Sequence, residues 1–200
     1  MSAAKHRSEL QAWRLFTTLL RAWGVGFLLA ARGTNVTHCP SSNLKLGSGI
    51  APIPEMLAEG IHVALGADGA PCNNTMDPFH EMRLCGTIHK PKFGPKTLPA
   101  EEVFHLATMG GAEVIGRTAD LGSLEPGKLA DVVIVDRQHP SVGTVENPYS
   151  ALVYSCSGRD VRDVWIHGRQ IVSAGKHVLY DVGKIVAEGK SQLTSLLKRQ

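Results

Sequence analysis

The chain has 200 residues, 43% of them hydrophobic and 20% charged, which suits an ordinary globular protein of one domain or one and a half. Its formal net charge of +3 is unevenly placed: residues 1–35 hold Lys5, Arg7, Arg14, Arg21 and Arg32 against Glu9, leaving 16 of the 21 basic and 17 of the 18 acidic residues for the rest. The basic balance therefore belongs to the N-terminal segment and argues against a nucleic-acid-binding body. Cys39, Cys72, Cys85 and Cys156 show no C-x-x-C spacing, which argues against a disulfide framework and for a reducing, cytoplasmic compartment.

Leu15 to Ala31 is apolar but broken by Arg21, too short and interrupted for a membrane span, and no membrane association is expected. Three readings of residues 1–33 stay open: a signal peptide, an Arg-rich transit peptide, or an unrelated, mis-started or disordered lead-in. The third is preferred, because patterning begins only at about Thr34.

Asn35 to Cys39 reads as a short strand that enters a polar loop, Pro40 to Gly49. Pro52 and Pro54 open a helix over Glu55 to Glu59, and Gly60 stops it. Ile61 to Ala67 follows as a buried strand. Asp77-Pro78 supplies an N-cap and a first-turn proline for a helix whose stripe is Phe79, Met82, Cys85 and His89. The next helix is predicted from Pro99 toward Gly116, burying Val103, Leu106, Ala107 and Val114. Alternating strands and helices predict an α/β architecture with parallel strands. After Gly116 the character changes: Asp131 to Asp136 is a β-branched strand, and Val161 to Ile166 and Gln170 to Val172 flank His167-Gly168-Arg169 as a hairpin. The last third is thus expected to be all-β, up to a helical tail from Ile185.

Two stretches could carry chemistry. Gly66-Ala67-Asp68-Gly69-Ala70, with Asn73-Asn74 beyond, sets a carboxylate at the C-terminal end of a buried strand. In a (β/α) barrel that end mounts catalytic groups; a plain capping or turn role fits the position equally. His38-Cys39-Pro40-Ser41-Ser42-Asn43-Leu44-Lys45-Leu46-Gly47-Ser48-Gly49 also starts at a strand end. His38 could be a ligand, a proton shuttle or a structural residue, the last having the higher prior. A His38–Cys39 dyad is disfavoured, because adjacent strand residues face opposite ways. Gly122 to Asp136 is a turn feeding a buried strand, read as structural. The other histidines (His62, His80, His89, His105, His139, His167, His177) show no H-x-H or H-E-x-x-H spacing.

Together, His38 to Gly49, Leu65 to Ala70 with Asn73-Asn74, Glu81-Met82-Arg83, Gly122 to Asp136 and the hairpin at Gly168 resemble the metal-dependent amidohydrolase superfamily. The likeness is to its triazine-hydrolase and S-adenosylhomocysteine/methylthioadenosine-deaminase branch, and it runs over roughly residues 34–183. It implies the last two strands and helices of a (β/α)₈ barrel at 34–117 and part of a small β-sandwich at 118–183; residues 184–200, beyond the likeness, are the expected helical tail. It further implies a divalent metal, usually zinc, held by an H-x-H pair, a later histidine and a strand-eight aspartate, which Asp68 matches. The metal would bring the pKa of its water to about 7. Asp68 would accept that water's proton and pass it to the leaving group. The implied reaction is deamination of an aminated N-heterocycle of nucleoside, nucleobase or triazine class.

This sequence departs from the pattern. It contains no H-x-H, and a single carboxylate does not make the usual four-coordinate zinc site. Two strands do not close an eight-stranded barrel and leave bare edges. The expectation is an incomplete amidohydrolase, inactive alone or active only with a complementary chain. The alternative is a truncated, non-catalytic remnant or protein-interaction fragment. An intact small enzyme using His38 and Asp68 is disfavoured for want of a nucleophile–base set. Assembly state is left open.

Overall fold

A computed structural model of the chain describes residues 25–199. Expectations for residues 1–24 lie outside them. The first described element is a helix, Val25–Ala31 (α1), inside the N-terminal lead-in of residues 1–33. The chain divides into two compact units: one contains residues up to Lys128 together with Gln138–Gly158, the other Leu129–Arg137 and Arg159 onward.

In the first unit, Val36–His38 (β1) and Val63–Leu65 (β2) pair in parallel, Val36 opposite Val63 and His38 opposite Leu65, as alternation of strand and helix predicted. Between them lie two short helices, Pro40–Lys45 (α2) and Ile53–Ala58 (α3). The first corrects the polar loop expected over Pro40 to Gly49. Pro40 occupies the first turn, where its missing N–H costs nothing, and Gly47 leaves the helix at a φ of 67°.

Pro78–Ile88 (α4) starts as the sequence indicates: the Asp77 carboxylate accepts from the Phe79 N–H at 2.9 Å, with proline in the first turn. Its buried face includes Phe79, Met82 and Cys85, and His89 closes it at 4% exposure. After Lys90–Phe93 (α5), the long helix predicted to Gly116 is in fact two, Ala100–Ala107 (α6) and Met109–Val114 (α7). Thr108 breaks it at φ −121° and ψ −84°, its hydroxyl turned back to the Phe104 carbonyl at 2.8 Å. The break lets Gly110 press against β2, where a Cβ would stand 2.5 Å from the Val63 carbonyl oxygen. Val103 and Leu106 are buried as expected, whereas Ala107 and Val114 are only half-buried and Ala112 takes the core position.

The all-β expectation for the last third needs a second correction. Pro140–Gly143 (α8), Pro148–Ser150 (α9) and the helical turn Ala151–Ser155 belong to the first unit, and Val142, Ala151, Val153 and Cys156 join its core. The prolines at 140 and 148 open these turns and the apolar run Ala151–Val153 buries them. Two long-range bonds fasten the segment: Gly158 N–H to Asp77 at 3.0 Å and the Arg83 guanidinium to the Cys156 carbonyl at 2.8 Å.

The second unit is a four-stranded antiparallel sheet in chain order: Val132–Val135 (β3), Val161–Ile166 (β4), Arg169–Ser173 (β5) and Lys176–His177 (β6). The hairpin at His167-Gly168 takes φ values of 50° and 73°, the left-handed pair of a tight two-residue turn. Val182–Leu197 (α10) forms the helical tail, three residues earlier than Ile185. No helix among the described residues is long and apolar enough to cross a membrane.

Candidate functional site

Asp68 lies three residues past the end of β2. The Gly66 N–H donates to the His38 carbonyl at 2.9 Å, so the two chains stay paired beyond the formal strands. Glycine lets the two chains lie this close, since a Cβ would meet the Thr37 side chain at 2.6 Å and the Cys39 sulfur at 3.1 Å. The chain then turns with Asp68 in the left-handed region at φ 60°, which aspartate tolerates better than most residues.

The exposed Asp68 carboxylate is held at both oxygens. Oδ1 accepts the Gly69 N–H at 2.7 Å and Oδ2 accepts the hydroxyl of Ser42 at 2.5 Å. Ser42 itself is 2% exposed on α2. These bonds, the Ser42 hydroxyl foremost and the Gly69 N–H second, hold the carboxyl below the usual carboxylate range, so Asp68 is ionised at neutral pH. Burial, and then the charge of Asp68, push the Cys39 thiol up, so Cys39 is no thiolate nucleophile.

His38 is not joined to Asp68. It is buried, neither ring nitrogen has a hydrogen-bond partner, and the His89 ring lies 6.3 Å away between centroids. Burial first and His89 second lower its pKa from 6.5 to about 4, making it a neutral core residue at physiological pH. This favours the structural reading of His38 over the ligand and shuttle readings.

A buried carboxylate braces the two strand-end loops, a role the sequence did not disclose. Glu81 on α4 accepts the Ser41 N–H at 3.1 Å through Oε2 and the Asn73 side-chain amide at 2.7 Å through Oε1. The same Asn73 amide reaches the Ala67 carbonyl at 2.9 Å, directly before Asp68, and its Oδ1 accepts from Thr75 and the Met76 N–H. Farther out, Lys45 on α2 donates to the Pro71 carbonyl at 2.8 Å and to Asn74 at 2.5 Å. Glu81 and Asn73 stand in stretches that carried the resemblance, but their partners lie 40 and 8 residues away, beyond any short motif. An open cleft of about 310 Å³ runs beside this lacing, with Ser41, Lys45, Asn74, Thr75, His80 and Leu84 among its walls. Asp68 is not one of them, so the cleft is not where this carboxylate would act.

Asp68 fits the part of one carboxylate ligand: ionised, exposed and fixed from behind. It has no company for that part here, since no three His, Cys, Asp or Glu side chains among the described residues form a metal-holding group.

A profile of the Amidohydrolase family matches residues 27–171, nearly three quarters of the chain and Asp68 with it. This chain belongs to the amidohydrolase family. It is 43% identical over 160 residues to a 5-methylthioadenosine/S-adenosylhomocysteine deaminase of Syntrophobacter fumaroxidans, covering 80% of this chain and 36% of that one. A 5′-deoxyadenosine deaminase of Methanothermobacter thermautotrophicus is 42% identical over 158 residues, 78% of this chain and 36% of its own. Among solved structures, a zinc-bound adenosine deaminase from Xanthomonas campestris superposes with a TM-score of 0.84 at 32% identity, covering 88% of this amidohydrolase chain and 40% of its own. The zinc complex of the atrazine chlorohydrolase TrzN from Arthrobacter aurescens gives 0.74 at 31% identity, covering 83% and 37%. The chain therefore spans well under half the length of the relatives it matches.

Proposed function

We propose that this chain forms the C-terminal part of an amidohydrolase barrel, with β1 and β2 as its last two strands and the antiparallel unit as part of a small β-sandwich. In that reading residues 34–117, joined by Gln138–Gly158, belong to the barrel, and Asp68 is the single metal-ligating and proton-transferring carboxylate that this segment contributes. The reaction is hydrolysis of a C–N bond in an aminated N-heterocycle. The two nucleoside deaminases among its relatives, at 43% and 42% identity, and the higher TM-score with the adenosine deaminase (0.84) than with the triazine enzyme (0.74) favour an adenine nucleoside as its class.

One observation carries the reading: an ionised carboxylate, held at both oxygens, at the C-terminal end of a parallel strand inside the family match. That end of the strands is where such folds mount their chemistry. When bound, a divalent metal such as zinc supplies the Lewis acidity that makes water a nucleophile at neutral pH. Asp68 is one ligand, and the others come from outside these residues. The chain's own contribution is to keep that carboxylate deprotonated and aimed. The cysteines, spaced unlike a disulfide framework, support a reducing, cytoplasmic setting.

The test is a chimera. The matching 160-residue segment of the Syntrophobacter deaminase is exchanged for that of this chain, and deamination of S-adenosylhomocysteine is followed, with Asp68→Asn as the control. The chimera is expected to deaminate and the variant to lose activity by at least about a hundredfold, the scale of a positioned acid–base group. Equal activity with and without the Asp68 carboxylate would overturn the assignment.

A further inference from the structure

Resting on the role proposed for Asp68, we propose that Ser42 is a positioning residue: its buried hydroxyl, braced through Ser41 and Glu81, fixes the side-chain orientation in which Asp68 meets a metal. Asp68 is exposed and sits on a turn with a left-handed φ, so packing does not hold its side chain. The Gly69 N–H is adjacent in sequence and moves with the turn. The Ser42 hydroxyl reaches Asp68 from a different element, 26 residues away in sequence, and it comes from a side chain that is itself 2% exposed; Cys72, in the loop that follows, adds a lesser side-chain bond.

Ser42 is in turn held by its neighbour. The Ser41 N–H donates to Glu81, and the other oxygen of that buried carboxylate takes the Asn73 amide, which also grips the Ala67 carbonyl. One carboxylate on α4 therefore sets both ends of the Ser42–Asp68 bond, the serine through residue 41 and the aspartate through residue 67. A hydroxyl that donates to a ligating carboxylate leaves the other lone pairs free for a metal and orients them, which is what outer-shell partners of metal ligands do.

The experiment uses the full 200-residue chain without metal. Three-bond couplings across the Cα–Cβ bond of Asp68 report whether its side chain occupies one rotamer or averages over several. A single rotamer is expected in the parent and averaging in Ser42→Ala. Ser42→Cys keeps the volume but donates weakly, so intermediate averaging is expected from it, and it serves if the alanine variant does not fold. In the chimera, either variant is expected to weaken zinc binding, by about 10- to 100-fold for alanine, while chain stability changes little. An unchanged single rotamer in both variants, or lost rotamer order with unchanged zinc affinity, would overturn the positioning role. Zinc retained by Asp68→Ala would instead overturn the role of Asp68 itself, so the two failures are distinguishable.

Discussion

Glu81 and Asn73 meet at 2.7 Å in the core of the first unit, each at most 3% exposed, and between them they tie down the loops that follow both parallel strands. The bond is more than a local contact. Truncating the amide leaves one oxygen of a buried carboxylate unpaired, the costly side of the hydrogen-bond asymmetry. Asn73→Ala is expected to destabilise the chain by about 2–3 kcal/mol, whereas Asn74→Ala, on the exposed neighbour, is expected to cost below about 0.5 kcal/mol. Urea unfolding of the two variants checks this, and equal midpoints would refute the brace.

Stability is expected to fall on acidification through His38. The folded pKa, about 4, lies below the unfolded 6.5, so the unfolded chain takes up the proton first. The stabilisation is complete above pH 6.5 and is lost as pH falls toward about 4, by at most ~3 kcal/mol. His89, lowered mainly by its own burial with Glu55 and Lys92 beside it, acts in the same direction. Denaturant unfolding at pH 7 and pH 4.5 should show the drop in the parent chain, and His38→Phe should flatten it. An equal drop in His38→Phe would assign the effect elsewhere.

Gly110 and Gly111 should respond oppositely to the same substitution. A methyl on Gly110 meets the backbone oxygen of Val63 at 2.5 Å, and a methyl on Gly111 meets nothing within 4 Å. Gly110→Ala is expected to cost about 1–3 kcal/mol through forced separation of α7 from β2, and Gly111→Ala to gain about 0.5–1 kcal/mol from helix propensity. Thermal unfolding followed by far-ultraviolet dichroism decides both.

Asp77 caps α4 and also anchors Gly158 at 3.0 Å. Asp77→Ala is expected to cost about 1–2 kcal/mol, within the range for lost N-caps. Amide hydrogen exchange should show extra opening at Gly158 as well as in the first turn of α4. Opening confined to α4 would mean that the long-range bond contributes nothing.

The punctuation of the fold was legible in the sequence because it is local. Asp77-Pro78 and Gly60 mark helix ends by their own chemistry, and the β-branched runs at Val132 and Val161 mark strands. Asp68 is legible as a candidate for the same reason, a carboxylate one step past the expected strand Ile61–Ala67 and followed by glycine. What escaped was non-local. The α2 helix reads as a polar loop because Ser41, Ser42 and Asn43 are poor helix formers, and a bond from Glu81, 40 residues on, reaches its first turn. The break at Thr108 serves the approach to β2, and the return of Gln138–Gly158 to the first unit depends on Asp77 and Arg83, more than 70 residues upstream. The partnership of Ser42 with Asp68 is not legible in the sequence, since a lone serine in a polar run carries no signal until the fold brings it to 2.5 Å.

The most direct test of the central claim, that Asp68 is one ligand of a metal centre completed from outside this segment, is zinc stoichiometry by elemental analysis. It is measured on the purified 200-residue chain, on the chimera with the Syntrophobacter deaminase, and on the Asp68→Ala chimera. The account expects no stoichiometric zinc on the chain alone, about one per molecule on the chimera, and a loss of that zinc when Asp68 is removed. A full equivalent on the chain alone, or an undiminished one in the Asp68→Ala chimera, would contradict it.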